Sequence, residues 1–153
     1  MYDQTHQYGP EKYICFKLSK VMRKLQRYYE SNLASFEITP VQFYVLSALW
    51  ENDGMKFKEL ARSMNMDGST LTGILDRMER GGFVERRDDP EDRRSLLVFL
   101  THKAKEHGAA MIELAEKLDM EIKEQFSPAD FETFLKVLDE LIDTDMVSYH
   151  QSF

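Results

Sequence analysis

Two arginines stand side by side in an acidic stretch, DDPEDRRS, which covers residues 88–95 and holds four carboxylates. Guanidinium groups bind phosphate oxygens in bidentate geometry, and arginine enters narrow minor grooves because the negative potential is enhanced there. Asp92 is close enough in sequence to orient Arg94, and a salt-bridged arginine loses less rotamer entropy on binding. Pro90 stiffens the turn. The stretch predicts a loop that presents Arg93 and Arg94 to an anion.

Strand-like segments flank this loop. FVERR precedes it and SLLVFLT follows it, so the two segments predict a β-hairpin. Arg86 and Arg87 lie on the first strand, from which they could meet phosphate. A β-loop beside a DNA-reading helix can reach the adjacent minor groove. The alternative is a solvated charged hairpin with no partner.

A helix pair over residues 57–76 precedes the hairpin. Two short helices that cross steeply need a small residue at their contact and a turn residue that tolerates positive φ. Ala61 supplies the first and Asn65 the second. Apolar residues at matching offsets supply the predicted buried set, which is Leu60, Met64, Met66, Leu71 and Ile74. This spacing predicts a helix-turn-helix.

The second helix of the pair starts after Asp67, and its outer face is polar. Leu71, Ile74, Leu75 and Met78 point inward, and at 100° per residue the opposite face and its flanks carry the candidate DNA contacts. These are Ser69, Thr70, Thr72, Gly73, Asp76, Arg77 and Arg80. Small hydroxyl side chains permit close approach to base edges, and the free N–H groups of a helix start attract phosphate. The alternative is an ordinary helix pair with a solvated face.

Long amphipathic helices are predicted at both ends of the chain. The first runs from about Glu11 to Ala34, TPVQ caps a second at Thr39, and later helices cover Lys103 to Phe126 and the segment after SPAD. We expect a mainly α fold with a small β wing, a winged helix-turn-helix with N- and C-terminal dimerisation helices. The apolar faces of the terminal helices have no partner in so small a unit, which favours a homodimer.

Charge is distributed unevenly along the 153 residues. The net charge is −7, but residues 56–105 carry +2 and residues 106–153 carry −9. A local basic surface matters more to a charged partner than the total, because salt screens each charge beyond about 10 Å. No apolar run suggests a membrane span or a secretion signal, and the single cysteine fits a reducing compartment. We therefore expect one domain over 1–153 in the cytoplasm.

The sequence resembles the MarR family of transcription regulators over about residues 13 to 150. ITPVQFYVLSALWE is similar to the family's second helix, and LARSMNMDGSTLTGILDRMERGGFVERRDDPEDRRSLLVFLT to its helix-turn-helix and wing. The family's D-x-R element is present as Asp92-Arg93-Arg94, with Leu100-Thr101 at the closing strand. The resemblance implies a DNA-binding unit over 39–101 and dimerisation helices over 11–35 and 103–150.

The resemblance also implies what the protein binds. Its expected partners are double-stranded DNA with a pseudo-palindromic operator, a second copy of the chain and a small-molecule effector that relieves repression. An aromatic or lipophilic ligand between the terminal helices and the winged unit is the favoured effector. No cofactor or metal is expected, since His102 and His107 have no cysteine nearby.

Cys15 offers a second possible signal input. YICFKLSKVMRKLQRYY is similar to the first helix of the organic-hydroperoxide-sensing branch of the family, and Tyr29 matches one of the tyrosines that this branch places near its cysteine. Oxidation to a sulfenic acid would drive the change. Ser19 and Pro40 stand where two further tyrosines are expected, which favours the alternative that Cys15 packs like a small hydrophobe.

Two other classes of function are an enzyme and a winged-helix module that binds protein. An enzyme needs a nucleophile, base or metal set that converges in a cleft, and the sequence shows four scattered histidines and no glycine-rich phosphate loop. We therefore expect no enzymatic activity. A winged-helix module that binds protein through acidic C-terminal helices is the other alternative, and substitution of Arg94 discriminates between it and a DNA binder.

Overall fold

The computed structural model describes residues 9–146, and within them the chain has six α-helices and three β-strands. The chain packs as two units that divide between Ala115 and Glu116. The termini of the predicted domain 1–153, and residues 147–150 of the predicted segment 103–150, lie outside the described residues. The elements are α1 Ile14–Leu33, α2 Pro40–Glu51, β1 Met55–Lys56, α3 Phe57–Ser63, α4 Gly68–Arg80, β2 Val84–Asp88, β3 Leu96–Leu100, α5 His102–Lys123 and α6 Pro128–Asp143.

The first helix starts later than the sequence predicts. Residues Pro10–Lys12 form a short 3-10 helix, and Tyr13 then adopts an extended conformation with φ −87° and ψ 132°. A helix cannot continue through an extended residue, so α1 begins at Ile14 rather than at Glu11.

The second helix begins where the capping signal predicts. The Gln42 N–H donates to Thr39 Oγ1 at 3.4 Å, and the Thr39 N–H donates to Gln42 Oε1 at 2.9 Å. This reciprocal pair satisfies two N–H groups that a helix start leaves open, and Pro40 occupies the first turn, where no N–H partner is needed. The predicted capping box is confirmed.

A three-stranded antiparallel sheet forms the wing, in the order β1-β3-β2. Strand β2 pairs with β3 from Val84 opposite Leu100 to Asp88 opposite Leu96. The outer strand β1 contributes only Met55 and Lys56, paired with Val98 and Leu97. The sequence does not reveal β1, because two residues are too few to show an alternating pattern. The predicted hairpin is confirmed.

The core of the first unit lies between the helix-turn-helix, the sheet and the start of α5. It includes the predicted inward residues of α4, each at most 3% exposed. Gly82, with φ 75°, closes α4, whereas Gly81 keeps a helical φ of −75°. The fully buried large side chains are Leu33, Leu49, Leu60, Leu71, Leu75, Met78, Met111, Val45 and Val98.

Asp53 joins three elements of this unit. Its Oδ1 accepts the Leu100 N–H at 2.8 Å, and its Oδ2 lies 2.7 Å from Lys105 Nζ. Burial alone would raise the pKa of Asp53, but these two partners lower it. The ionised carboxylate therefore ties the segment after α2 to the end of β3 and the start of α5.

The terminal helices leave large apolar side chains exposed in a single chain. On α1, Ile14, Val21 and Met22 are each at least 46% exposed. On α6, the exposed set is Phe134, Leu135, Val137 and Ile142. Exposed apolar faces of this size mark surfaces that another chain can cover. None of the helices described is long and apolar enough to cross a membrane.

Candidate nucleic-acid interface

The turn between α3 and α4 has the predicted geometry. Asn65 adopts φ 50°, one of two non-glycine residues with positive φ between residues 9 and 146. Ala61 is 9% exposed, and its carbonyl accepts the Met66 N–H at 2.9 Å. A larger side chain at 61 would push the helices apart. This turn fixes the direction in which α4 leaves the core.

Asp67 caps α4 and accepts hydrogen bonds from the side chains of its first turn. Its Oδ1 accepts from the Thr70 N–H at 2.8 Å and from the Ser69 hydroxyl at 2.7 Å, and its Oδ2 accepts from the Thr70 hydroxyl at 2.9 Å. These hydrogen bonds lower the pKa of Asp67 to about 2, and the bond from the Ser69 hydroxyl contributes most. The carboxylate is therefore ionised at neutral pH.

The outer face of α4 consists of the seven predicted residues, and the structure places them on one side of the helix. Ser69, Thr70, Arg77 and Arg80 are exposed. The other three, Thr72, Gly73 and Asp76, are partly exposed. A Cβ at Gly73 would meet no described atom within 4 Å outside the backbone of its own helix, so the surface at mid-helix is open to a partner.

Arg86 lies on β2 but faces α4. Its Nη2 is 2.5 Å from Asp76 Oδ1 and 2.5 Å from Glu79 Oε2, and only 21% of its side chain is exposed. The hydrogen bond to Glu79 and the contact with Asp76 raise the pKa of Arg86 further above its ordinary value, and Arg86 lowers that of Glu79. Arg86 and Asp76 thus bind each other, where we expected both to contact DNA.

Glu79 was not among the residues that the sequence pattern indicated. It stands three residues after Asp76, so both carboxylates lie on the same side of α4. An arginine on the half-buried face of a neighbouring strand requires such a partner, because an unpaired buried charge is costly. That requirement is the signal that could have identified the Arg86–Glu79 pair.

The wing loop, residues 89–95, is closed by its own aspartates. The Asp89 carboxylate accepts the Glu91 N–H at 2.9 Å and lies 3.6 Å from Lys56 Nζ. Asp89 is 4% exposed, and its Oδ2 has no hydrogen-bond partner among residues 9–146, so the Lys56 contact is a charge interaction only. The sequence does not distinguish Asp89 from the other three acids of the stretch 88–95, so its burial was not expected.

Asp92 orients Arg94 in a different way from the one expected. Its Oδ1 accepts the backbone N–H of Arg94 at 3.0 Å, whereas the expected contact was with the guanidinium. Arg93 and Arg94 are exposed, and within the described residues neither forms an ion pair. Asp92 therefore fixes the loop backbone and leaves both guanidinium groups available.

Arg87 lies on the exposed side of β2. It pairs with Glu85, and its guanidinium carbon is 4.5 Å from the centre of the Phe99 ring. With 60% of the side chain exposed, the ion pair is screened by water. Arg87 can exchange Glu85 for a phosphate at small cost.

Cys15 and Tyr29 do not meet within one chain. Both lie on α1, fourteen residues apart, which corresponds to about 21 Å at the helical rise. Cys15 is exposed, so in a single chain it does not pack as a small hydrophobe. Contact between the two would need a second copy.

A small apolar cavity lies between α2 and α5. Its walls include Phe43, Trp50, Leu100, Met111 and Ile112, and its volume is about 10 Å³. This is room for about one water molecule. An aromatic effector would enter only if side chains such as Trp50 moved. Among the residues described, no cluster of three or more potential metal ligands occurs.

Several known proteins are similar to this chain in sequence or in structure. A model described as the MarR family matches residues 38–96. The HTH-type transcriptional regulator TtmR of Methylorubrum extorquens (strain PA1) is 38% identical over 92 residues, 60% of this chain and 47% of that protein. The chain therefore spans about half the length of that relative.

Two further relatives are matched over most of their length. The organic hydroperoxide resistance transcriptional regulator of Bacillus subtilis (strain 168) is 35% identical over 105 residues, 69% of each protein. A solved structure of reduced AbfR bound to DNA is 30% identical with a TM-score of 0.67, and the match covers 86% of this chain and 93% of that one.

Proposed function

The chain belongs to the MarR family of transcriptional regulators, and we propose that it is a homodimeric repressor that binds pseudo-palindromic operator DNA. The exposed outer face of α4 beside the exposed Arg93 and Arg94 supports this function most directly. Helix α4 enters the major groove, and the wing loop reaches the adjacent minor groove. The exposed apolar faces of α1 and α6 form the dimer interface.

The residues divide into two roles. Ser69, Thr70, Thr72, Gly73, Arg77 and Arg80 contact DNA from α4, and Arg87, Arg93 and Arg94 contact it from the wing. Arg86 and Asp76 act as positioning residues, because their charges are already paired with each other. Asp92 positions Arg94 through its backbone.

Replacement of Arg94 tests DNA binding. Arg94→Ala should weaken operator affinity by about 1–3 kcal/mol, measured by fluorescence anisotropy on an operator selected from a random duplex library. Lys136→Ala is the control, because it removes the same charge from α6, where the side chain is 76% exposed. Equal effects of the two substitutions would contradict docking through the wing. A protein-binding module would select no duplex at all.

The effector that releases the repressor is proposed to be an aromatic or lipophilic molecule. The apolar cavity beside Trp50 supports this, because its walls can pack against a flat ring after Trp50 rotates away. A ligand that binds the free repressor better than the DNA-bound form shifts the protein away from DNA. The result expected is that such a ligand raises the apparent operator Kd of the wild type, and that Trp50→Ala, which removes the ring that closes the cavity, responds at a lower ligand concentration.

Oxidation at Cys15 is a second candidate input. The exposure of the thiol favours it, as does similarity to a regulator named for organic hydroperoxide resistance. The thiolate sulfur would attack one peroxide oxygen, the O–O bond would break, and the leaving alkoxide would take a proton from water, which gives a sulfenic acid and an alcohol. Anisotropy before and after one equivalent of an organic hydroperoxide, with Cys15→Ser beside the wild type, tests this. Release in the wild type alone assigns the input to Cys15, and no release in either protein excludes it.

A further inference from the structure

Three hydroxyl groups at the start of α4 all donate their protons within the protein. The Ser69 and Thr70 hydroxyls donate to Asp67, and the Thr72 hydroxyl donates to the Gly68 carbonyl at 2.7 Å. An ionised carboxylate and a peptide carbonyl can only accept, so the chemistry of the acceptors fixes the direction of each bond. A hydroxyl has one proton to donate. The outward side of each oxygen therefore holds lone pairs.

The donors of the outer face lie at the other end of the helix. Arg77 and Arg80 are exposed, and within the described range neither forms an ion pair. Guanidinium groups donate and never accept. Among the exposed side chains of this face, hydroxyl acceptors thus lie in the first turn and guanidinium donors in the last two turns.

We propose that Ser69 and Thr70 determine sequence specificity by accepting hydrogen bonds from the exposed amino groups of adenine or cytosine, and that Asp67 is the positioning residue that sets this direction. The inference rests on the proposed DNA-binding function. In the major groove, the N6 amino group of adenine and the N4 amino group of cytosine are the donors, whereas guanine N7 and O6, adenine N7 and thymine O4 accept. An acceptor beside an acceptor gains nothing.

For Ser69 or Thr70 to donate to a base, its hydroxyl would first have to break its hydrogen bond to Asp67. Each would exchange a bond to an ionised carboxylate, which is of the stronger charge-assisted kind, for a bond to a neutral base atom. The pKa of about 2 for Asp67 keeps that carboxylate ionised at the pH of any binding experiment near neutrality. Asp67 therefore opposes contacts with guanine O6 and N7 at the positions that Ser69 and Thr70 face.

Base analogues test the direction of these bonds. An operator is first selected by the wild type from a duplex library randomised over about two helical turns. Each adenine is then replaced singly by purine, which lacks the N6 amino group, or by 7-deazaadenine, which lacks the N7 acceptor. Cytosine is replaced by 2-pyrimidinone, which lacks the N4 amino group. Affinities are measured for the wild type, Ser69→Ala and Thr70→Val.

The expected result is a position at which loss of the amino group weakens wild-type binding by about fivefold, the size of one neutral hydrogen bond. The same analogue should have little effect on Ser69→Ala or Thr70→Val, which corrects for any weakening of base pairing. Where that base is adenine, the duplex with 7-deazaadenine at the same position should bind normally. In Asp67→Ala, which frees both hydroxyl protons, sensitivity to the amino group should fall.

The outcomes separate the two proposals. Sensitivity to the 7-deaza analogue that depends on Ser69 or Thr70 would mean that the hydroxyls donate, which overturns the inference while DNA binding stands. Operator affinity that is unchanged in both Ser69→Ala and Thr70→Val would overturn it as well. Failure of the wild type to select any sequence would overturn the proposed function, and the inference with it.

Discussion

Arg86 and Glu79 are joined by three hydrogen bonds. The backbone N–H and Nε of Arg86 both donate to Glu79 Oε1, at 3.0 and 3.1 Å, and Nη2 donates to Oε2 at 2.5 Å. Because Arg86 belongs to β2 and Glu79 to α4, this pair fixes the wing against the recognition helix. The proposed contacts in the major and minor grooves would require a constant distance between these two elements, and the pair holds them together.

Truncation of Arg86 should therefore lower the stability of the folded protein. Arg86→Ala leaves Glu79 and Asp76 partly buried and unpaired, which should lower the free energy of unfolding by about 1–3 kcal/mol. Arg86→Lys should recover only part of this, because an ammonium group cannot make the two-pronged contact. Urea unfolding at fixed protein concentration measures the change.

The neighbouring arginine is the control for this prediction. Arg87 and Glu85 form an exposed pair, and such pairs contribute about 0–1 kcal/mol. Arg87→Ala should leave the unfolding midpoint nearly unchanged. If Arg86→Ala proved as mild as Arg87→Ala, the Arg86–Glu79 pair would not hold the wing.

Gly108 lies under the ring of Trp50, and this contact predicts how Gly108→Ala changes stability. A Cβ at position 108 would stand 2.1 Å from Cζ3 of Trp50. Glycine to alanine inside a helix ordinarily stabilises by about 1 kcal/mol, but here the clash should reverse the sign. Gly108→Ala should destabilise by about 1–3 kcal/mol, the usual cost of overpacking.

Gly73 provides the matched control on another helix. A Cβ there meets no described atom within 4 Å outside the backbone of its own helix, so Gly73→Ala should raise the free energy of unfolding by about 0.5–1 kcal/mol. Combining Gly108→Ala with Trp50→Leu should recover part of the loss, since the smaller side chain makes room. A stabilising Gly108→Ala would show that Trp50 moves aside freely.

Glu37 is held in the left-handed region, with φ 58° and ψ 31°, just before α2. This conformation costs a side chain about 1–2 kcal/mol, and glycine avoids the cost at some expense in chain entropy. Glu37→Gly should therefore raise Tm by about 1–4 °C. Glu30→Gly, inside α1, should lower it, because glycine is unfavourable there. A lower Tm for Glu37→Gly would mean that the side chain contributes a contact that outweighs the strain.

The order of the elements could be predicted from sequence because local signals specify it. Asp67 and Thr39 cap helices, Asn65 permits the turn, and period-3.6 apolar spacing marks the buried face of α4. Each signal depends on residues within a few positions of one another. Such patterns survive folding because the same residues remain neighbours in space.

The partners of the charged residues could not be predicted in the same way. Arg86 pairs with residues seven and ten positions away, and Asp53 with the Leu100 N–H across 47 positions. These contacts depend on how β2 packs on α4 and how β3 ends. Arg86 was expected to meet phosphate, because the sequence does not show which side of a short strand is covered.

Acid should weaken the start of the recognition helix through Asp67. Its pKa is lowered from 3.8 to about 2 by the hydroxyls of Ser69 and Thr70 and by the Thr70 N–H. A carboxylate with a lowered pKa stabilises the folded state fully above its unfolded pKa and loses that contribution as pH falls through its folded pKa. The contribution should therefore be constant above about pH 4 and disappear toward pH 2.

Comparison of the wild type with Asp67→Asn isolates this effect from general acid unfolding. Asparagine still caps a helix but carries no charge, so the Tm difference between the two should shrink between about pH 4 and pH 2. The same comparison in a Ser69→Ala, Thr70→Val background should show less pH dependence, because the two hydroxyl donors that lower the pKa are gone. A Tm difference that stayed constant down to pH 2 would mean that the Asp67 charge is not held by these hydroxyls. Asp67 would then not fix the direction of the hydrogen bonds that Ser69 and Thr70 form with a base.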